Sequence, residues 1–330
     1  MADTTYDVVG IGNAIVDIIG RCNDAFLAEH GAVKGHMRLV DGDTVQALYQ
    51  AMGPGIEISG GSAANTMAGI ASFGGKAGFI GKIADDELGR IFAHDIRAVG
   101  VAFQTPPAKG GQPTARSLIL VTPDGERTMN TFLGVSPELD QSEVDETLVA
   151  NAKVVYLEGY LFDRPEAKAA FRQAAKIAKG AGRKVALTLS DSFCVERHRA
   201  EFLDLIRSEV DILFANESEI MALYRVQSFE DAARQARVDS ELAVLTRSAK
   251  GSLVLAGERA ITITPEPVTR VVDTTGAGDL YAAGFLFGLT AGKGLDVCGR
   301  LGSLAAAEII SHVGARPEMS LAKLAAARGI

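Results

Sequence analysis

Beyond about residue 150, short apolar runs alternate with longer stretches whose apolar residues recur at helical spacing. Each apolar run is short and rich in Val, Leu and Ile, which is typical of buried strands. Strands that alternate with helices form right-handed βαβ units, so we expect a mostly parallel sheet with helices on both faces. The strand-like runs span 152–160, 184–190, 211–216 and 242–248, and the helical stretches between them span about 164–182, 200–209 and 228–237.

Two segments break this rhythm and predict a second, smaller sheet. Residues 6–20, YDVVGIGNAIVDIIG, have the pattern of one strand that continues past its Gly-Asn step. Residues 115–132 alternate apolar and polar positions around a Pro-Asp-Gly turn, which is typical of a β-hairpin. Alternation leaves one face of a sheet exposed, so we expect a lid beside the large α/β sheet. Its segments are about 13–20, 33–40 and 113–133, and no linker divides residues 1–330 into separate domains.

Composition and charge narrow the class of function. The net charge of −8 argues against nucleic acid and against an anionic membrane surface as partners. No apolar run approaches the roughly 20 residues that a membrane-spanning helix needs, and the N-terminus lacks the pattern of a signal peptide. The three cysteines and five histidines have no metal-site spacing, so a metal held by these residue types is not expected. We therefore expect a cytoplasmic protein.

The N-terminal segment contains two candidate ligand-binding residues, Asn13 and Asp17. Residues 10–15, GIGNAI, partly match a dinucleotide fingerprint, but Ile15 occupies the place of the third glycine, which disfavours a nicotinamide enzyme. Asn13 and Asp17 are either polar residues of an amphipathic strand or hydrogen-bonding groups for a polyhydroxylated ligand.

A second candidate begins at Gly60, Gly61 and Ser62, directly before a helical run. Glycines allow a ligand to approach the backbone closely, and Asn65 in the first helical turn can point toward the same ligand. The alternative is a plain turn in which Ser62 is the helix N-cap.

A third candidate lies where Asn216 ends a strand and Glu217 and Glu219 begin a helix. Acids in a first helical turn stabilise the helix dipole by about 0.3–1 kcal/mol, so they need no functional reason. The same residues could hold a hydrated Mg²⁺, which keeps several waters and takes few protein ligands.

A fourth candidate is the sequence Thr-Thr-Gly-Ala-Gly-Asp, which opens an apolar helix over about 277–291. Gly276, Ala277 and Gly278 lie where the first helical amides have no partner within the helix, and their small side chains leave these amides uncovered. Asp279 is either an acid that stabilises the helix dipole or a base that accepts a hydroxyl proton beside a phosphate site.

Taken in this order, the stretches resemble the ribokinase (phosphofructokinase-B) family of carbohydrate and nucleoside kinases. Residues 60–89 resemble its N-terminal signature, Asn216–Glu219 its Asn-x-x-Glu motif, and residues 273–285 its C-terminal signature. The resemblance covers nearly the whole chain. It implies a three-layer α/β fold with a mostly parallel central sheet and a small β-sheet lid, and it implies Mg-ATP as the phosphoryl donor.

The resemblance also implies roles for individual residues. Asp279 is then the catalytic base beside an anion hole formed by Gly276, Ala277 and Gly278. The hydroxyls of the acceptor are then bound by Asn13, Asp17, Gly61, Ser62 and Asn65. ATP, phosphate and Mg²⁺ are bound by Asn216, Glu219, Thr246 and Gly251, with Glu219 contacting the metal through water.

Two of the implied assignments have a sequence-level counterargument. Arg127 resembles a basic residue that some members fold over the phosphates, and its guanidinium geometry suits phosphate oxygens. Its alternative is a solvated charge near the hairpin. Near Thr246 and Gly251, the sequence departs from the family's commoner Thr-x-Gly pattern, because Ser248 stands in the glycine position.

The acceptor is the least determined part of the hypothesis. Segments near Asn13 and Arg127 resemble adenosine kinases more than ribokinases or fructokinases, so we expect transfer to the 5′-hydroxyl of adenosine. A nucleoside needs an apolar clamp for its base, for which the candidates are Met37, Leu39, Leu133 and the Tyr160–Phe162 stretch. A sugar kinase, an inosine–guanosine kinase and a catalytically silent binding protein are the alternatives. The sequence leaves open a monovalent cation, and it is compatible with a monomer or a homodimer.

Overall fold

The computed structural model describes residues 4–330 and contains two β-sheets. Within these residues the larger sheet has nine strands, of which all but β13, the second strand from one edge, run in the same direction. In spatial order they are β14 (Arg259–Ile263), β13 (Ser252–Ala256), β12 (Leu242–Thr246), β11 (Ile212–Asn216), β10 (Lys184–Thr188), β9 (Ala152–Glu158), β1 (Tyr6–Ile11), β5 (Ala77–Ile80) and β6 (Ala102–Phe103). The predicted strand-and-helix alternation after residue 150 is confirmed.

Helices cover both faces of this sheet, which gives the three-layer architecture expected from the sequence. One apolar core lies against α3 (Ser62–Ser72), α4 (Glu87–Ala98), α10 (Ala277–Thr290), α11 (Leu295–Ile309) and α12 (Leu321–Ala327). The other lies against α5 (Glu146–Ala150), α6 (Pro165–Gly180), α7 (Ser192–Ser208), α8 (Glu217–Tyr224) and α9 (Phe229–Asp239). Strand residues alternate between the cores, so that Val8 faces the first and Val9 the second.

The smaller sheet has five strands within the described residues and carries two helices. In spatial order its strands are β3 (Met37–Leu39), β8 (Arg127–Phe132), β7 (Ala115–Val121), β2 (Ile15–Arg21) and β4 (Gly55–Gly60). Its helices are α1 (Asp24–Glu29) and α2 (Gly42–Ala51). The expected hairpin is the antiparallel pair β7–β8. The strand β4 was not among the expected lid segments, and its last residue, Gly60, was interpreted as part of a glycine turn.

The prediction of one strand over residues 6–20 is wrong. The chain leaves the large sheet after β1 and enters the lid at β2, with a break over residues 12–14. A Cβ on Gly12 would collide with the carboxylate of Glu158, so this position requires glycine. The backbone amide of Ala14 then donates to the hydroxyl of Ser136 at 2.9 Å, which anchors the crossing. Apolar continuity across the break concealed it in the sequence.

The chain from residue 264 to the start of α10 is irregular. One smaller expectation also changes. Phe162, a candidate base clamp, is only 1% exposed and stacks on Phe202 with ring centroids 4.5 Å apart. It therefore belongs to the second core, because apolar residues after a strand end can equally well pack inward. Within residues 4–330, no helix has both the length and the apolarity needed to cross a membrane.

Candidate functional site

A cavity of about 660 Å³ lies beyond the carboxyl ends of the parallel strands, between the large sheet and the lid. This is where an open α/β sheet binds its ligands. Most of the residues proposed from the sequence line it: Asn13, Asp17, Met37, Gly61, Ser62, Asn65, Leu133, Asn216, Glu219, Thr246, Gly276, Ala277, Gly278 and Asp279. Leu39 and Tyr160 line it as well, whereas Arg127, Phe162 and Gly251 do not.

Asp279 lies in the first turn of α10 and is held by two side chains of α3. The hydroxyl of Ser62 donates to Asp279 Oδ1 at 2.6 Å, and Asn65 Nδ2 donates to Oδ2 at 3.0 Å. Burial raises the pKa of Asp279, and these two hydrogen bonds oppose the rise. A carboxylate that is fixed in direction and has an increased proton affinity suits a general base.

The N-cap of α3 is Gly61 rather than Ser62. Gly61 has a φ of +95°, and a Cβ at this position would collide with the carbonyl oxygen of Asn13. The plain capping interpretation of Ser62 is therefore wrong, because its hydroxyl is directed to Asp279 instead of a helix amide. Because Gly61 has no side chain, residues 12–14, which connect the large sheet to the lid, can pass close to the start of α3.

The anion-binding geometry at the start of α10 differs from the expectation at Ala277. Gly276 is the N-cap, in left-handed conformation with φ +77°, and no side chain caps this helix end. The amide of Ala277 donates to Thr274 O at 3.2 Å, so it is not available to a ligand. In the described residues, the amides of Gly276, Gly278 and Asp279 have no protein acceptor. Gly276 and Gly278 therefore remain candidates for the anion hole, and within α10 the free amides are those of Gly278 and Asp279, beside the positive end of the helix dipole.

A second carboxylate, Asp17, lies on β2 and faces the same cavity from the lid. Burial raises its pKa to about 7, the charges of Arg316 and Arg127 lower it, and Asp279 raises it further. No protein hydrogen bond to the Asp17 carboxylate is present in the described part of the chain. Its oxygens are thus free to accept hydrogen bonds from a ligand, as two hydroxyl groups would provide.

Glu158 is a site residue that sequence reasoning missed. It ends β9, is 1% exposed, and accepts hydrogen bonds from Asn13 Nδ2 at 2.8 Å and from the amide of Ala63 at 2.7 Å. Burial raises its pKa to about 7, while these donors oppose the rise. The side chain of Asn13 is therefore held by Glu158 and, through its Oδ1, by the hydroxyl of Ser136 at 3.1 Å. The signal available in the sequence was the position of Glu158 at the carboxyl end of a predicted strand.

Asn216 and Glu219 form a capping box at the start of α8. Asn216 Oδ1 accepts from the amide of Glu219, and a Glu219 carboxylate oxygen accepts from the amide of Asn216, both at 2.9 Å. Burial raises the pKa of Glu219 to about 7. In residues 4–330, no group of three or more His, Cys, Asp or Glu side chains is placed to hold a metal ion. Because both residues also line the cavity, they suit water-mediated contact with a metal that is carried mainly by its phosphate ligand.

Arg127 does not line the cavity, contrary to its assignment as a phosphate-covering residue. Its Nη1 lies 2.6 Å from Asp273 Oδ2, and both side chains are 5% exposed. The solvated-charge alternative is therefore also wrong. Asp273 in turn accepts from the amides of Thr275 and Gly314, so the ion pair joins the lid to the loop that precedes α10. Arg127 Nε and Nη2 remain buried without a protein partner.

The segment proposed for adenine and ribose is only partly at the cavity. Thr246 lines it at the end of β12, but Gly251 occupies a tight turn with φ +82°, where a Cβ would collide with the carbonyl oxygen of Ile263. Gly251 is therefore required by the turn rather than by a ligand contact. Ser248 has a φ of +50°, which explains why glycine suits this position.

The cavity lining also includes apolar residues. Met37 and Leu39 lie on β3, Leu133 follows β8, and Phe193 lies in the first turn of α7. The Phe193 side chain is 72% exposed, which is unusual for an aromatic residue and makes its ring accessible for contact with a ligand. Sequence reasoning missed Phe193, whose only signal was an aromatic residue shortly after the end of β10.

Comparison with known proteins places this geometry in a family. Residues 56–321 match the family described as pfkB family carbohydrate kinase. A solved adenosine kinase from Sinorhizobium meliloti is 55% identical, with a TM-score of 0.91, and the match covers 98% of this chain and 99% of that one. A solved probable sugar kinase from Rhizobium etli CFN 42 is 51% identical, with a TM-score of 0.93 and 99% coverage of both chains. A 5-dehydro-2-deoxygluconokinase of Bacillus subtilis is 28% identical over 331 residues, which cover 94% of this chain and 91% of that protein.

The fold and the cavity are those of a phosphotransferase that takes an alcohol group as acceptor. More particularly, the chain belongs to the pfkB family of carbohydrate kinases. The expected ribokinase-like fold and kinase class are thus confirmed.

The open start of α10 leads to a testable prediction for Gly278→Ala. A Cβ at Gly278 has no atom within 4 Å, so alanine fits and leaves the free energy of unfolding unchanged or raises it by up to about 0.5 kcal/mol. The methyl group narrows access to the free amides, and we expect kcat/KM for the phosphoryl donor to fall roughly ten-fold or more. Urea unfolding and steady-state kinetics measure the two effects.

Gly180→Ala, at the end of α6, is the matched control. Its Cβ position is equally open, so its stability effect is similar while its kinetics stay at the parent level. Unchanged donor kinetics in Gly278→Ala would remove the amides of this turn from the phosphate site.

Proposed function

We propose that the protein transfers the γ-phosphoryl group of ATP to the 5′-hydroxyl of adenosine. The observation that carries this proposal is the mixed lining of the cavity. It includes the polar residues Asn13, Asp17 and Asn65 and the apolar residues Met37, Leu39, Leu133 and Phe193. A free sugar has no flat apolar part to contact the apolar residues, whereas a nucleoside has a ribose for the polar groups and a base for the apolar ones.

The comparisons support the class of acceptor without separating its members. The Sinorhizobium meliloti adenosine kinase at 55% identity favours a nucleoside. The Rhizobium etli protein at 51% identity is described as a probable sugar kinase, and the Bacillus subtilis relative acts on a sugar acid. A sugar kinase is therefore the second candidate, and the exposed aromatic ring of Phe193 is the feature that argues against it.

In the proposed reaction, Asp279 accepts the proton of the attacking 5′-hydroxyl. Ser62 and Asn65 hold the Asp279 carboxylate toward the cavity, and the free amides of Gly278 and Asp279 offset charge on the transferred phosphoryl group. Asp17 binds hydroxyls of the ribose. The lid excludes water that would otherwise hydrolyse ATP.

The donor set fits Mg-ATP. The two free amides at the start of α10 suit a phosphate group, and Asn216 and Glu219 suit water-mediated contact with Mg²⁺. When bound, Mg²⁺ neutralises charge on the phosphates. Arg127 is paired with Asp273, so in this proposal it acts by holding the loop that leads into α10 rather than by contacting a phosphate.

The acceptor is tested by a coupled assay of ADP release with adenosine, inosine, ribose and fructose. We expect kcat/KM for adenosine to exceed that for each free sugar by at least 100-fold, since stacking a base on an aromatic ring contributes roughly 1–3 kcal/mol and contacts with the other apolar lining residues add to this. A preference for ribose or fructose would identify a sugar kinase. ADP release that is independent of every acceptor would contradict both candidates.

The role of Phe193 is tested by Phe193→Ala. We expect KM for adenosine to rise about ten- to hundred-fold, while the rate with ribose and the thermal unfolding midpoint change little, because the ring is largely exposed.

Phe162→Ala provides the contrast. Loss of its buried ring lowers the free energy of unfolding by about 3–5 kcal/mol but leaves KM for adenosine near the parent value. If Phe193→Ala kept the parent KM, the aromatic clamp would be ruled out.

The base assignment is tested by Asp279→Asn. The amide has nearly the same shape but cannot accept the hydroxyl proton, so we expect kcat to fall by about 10²–10⁴-fold with adenosine binding largely retained. Single-turnover kinetics and calorimetric titration with adenosine measure the two quantities. A variant that turned over at nearly the parent rate would refute the assignment.

A further inference from the structure

Arg316 lies in the segment between α11 and α12 and donates three hydrogen bonds to the turn that begins α3. Its Nε donates to Ser59 O at 3.0 Å, its Nη1 to Ala64 O at 2.8 Å, and its Nη2 to Ser59 Oγ at 3.2 Å. Ser59 precedes and Ala64 follows the Gly60–Gly61–Ser62 turn. The planar guanidinium therefore fixes both ends of the turn that carries Ser62, a partner of Asp279.

None of these three acceptors is charged, so the positive charge of Arg316 is not neutralised by a directly bonded carboxylate. Its electrostatic partners are Asp17, Asp279 and Asp95. Burial lowers the pKa of Arg316 to about 10, which leaves it protonated at neutral pH, and these three acids oppose the decrease. In return, Arg316 lowers the pKa of both Asp17 and Asp279 against the effect of their burial.

Other charges face this cluster from the neighbouring elements. Asp95 on α4 accepts from the amide of Ser59 at 3.2 Å, and Arg127 on β8 also lowers the pKa of Asp17. Glu158 on β9 has its pKa raised in part by Asp279. Arg316 is the charged group that lowers the pKa of both Asp17 and Asp279 and so favours their ionised forms.

We propose that Arg316 is a positioning residue of the phosphoryl-transfer site, which holds the Gly60–Gly61–Ser62 turn and balances the negative charge of Asp17 and Asp279. The inference rests on the proposed role of Asp279 as base and extends it to a residue outside the motifs that carry the family resemblance. An arginine suits the position because a flat fork can reach two backbone carbonyls and a hydroxyl at once, which a single ammonium group cannot. Turn geometry and charge balance are then supplied by one side chain.

The two roles are separated by Arg316→Gln and Arg316→Lys. Glutamine removes the charge, so the carboxylates bind protons more tightly and the acid limb of the kcat/KM profile moves to higher pH, by about one unit. The base acts only when deprotonated, so activity on that limb falls about ten-fold and recovers as pH rises. Lysine keeps the charge but not the fork, so kcat falls while the acid limb stays near its parent position.

A readout independent of turnover is the ¹³C-carboxyl NMR titration of aspartate-labelled protein, with Asp17→Asn and Asp279→Asn used for assignment. We expect both resonances to titrate about one unit higher in Arg316→Gln than in the parent. Arg328→Gln is the control, since Arg328 lies in the same C-terminal region and pairs with Glu266 at 2.8 Å. It should leave both titrations and the kinetics unchanged.

Ser59→Ala removes only the hydrogen bond from Arg316 Nη2, so it tests the turn-holding role even if an Arg316 variant does not fold. We expect it to lower kcat several-fold with the acid limb unmoved. Unshifted carboxyl titrations in Arg316→Gln, or an acid limb that moves equally in Arg316→Lys, would overturn the charge-balancing role. The kinetics use whichever acceptor the assay supports, and the NMR needs none. A failure of adenosine as substrate is therefore distinguishable from a failure of this inference.

Discussion

The architecture of the site depends on holding one carboxylate, Asp279, in an orientation and environment that keep it ionisable inside a buried cavity. Its two hydrogen-bond donors, Ser62 and Asn65, lie 217 and 214 positions away in the chain, on another helix. They can reach it only because α3 and α10 pack closely. A Cβ on Gly69 would collide with Ala283, so small residues on both helices are required by packing as well as by ligand access. The two sequence signatures therefore supply α3 and α10, the two helices that pack against each other at the site.

The same constraint determines how the lid is attached. The chain crosses from the large sheet to the lid over residues 12–14, and the buried Glu158 joins this crossing to the start of α3 through Asn13 and Ala63. The Arg127–Asp273 ion pair also joins the lid to the loop before α10. These two lid contacts thus end at the starts of α3 and α10, the two helices that supply Asp279 and its hydrogen-bond donors. Lid position and catalytic geometry are coupled because they share these buried polar groups, which are costly to leave unpaired.

The local sequence pattern was sufficient to predict those elements whose structure is determined by a few neighbouring residues. The βαβ alternation, the β7–β8 hairpin and the glycine-rich helix starts were predicted correctly, since periodicity and turn chemistry act over a few residues. The errors concern residues whose partners are distant. Phe162 packs into the second core, and Arg127 pairs with a residue 146 positions away. The Ala277 amide is the exception, because a local hydrogen bond to Thr274 removes it from the anion hole.

The sequence by itself determined the family and the class of fold, and most of the site residues proposed from it line the cavity, because these depend on motifs with fixed local spacing. Only the tertiary structure decided which groups are free to act. It left the amides of Gly278 and Asp279 without an acceptor, exposed the ring of Phe193 at the cavity, brought Glu158 to the start of α3, and brought Arg316 close to Asp17 and Asp279. Hydrogen-bond satisfaction and electrostatic coupling depend on distances through space, and such distances between remote positions are not written in a single sequence.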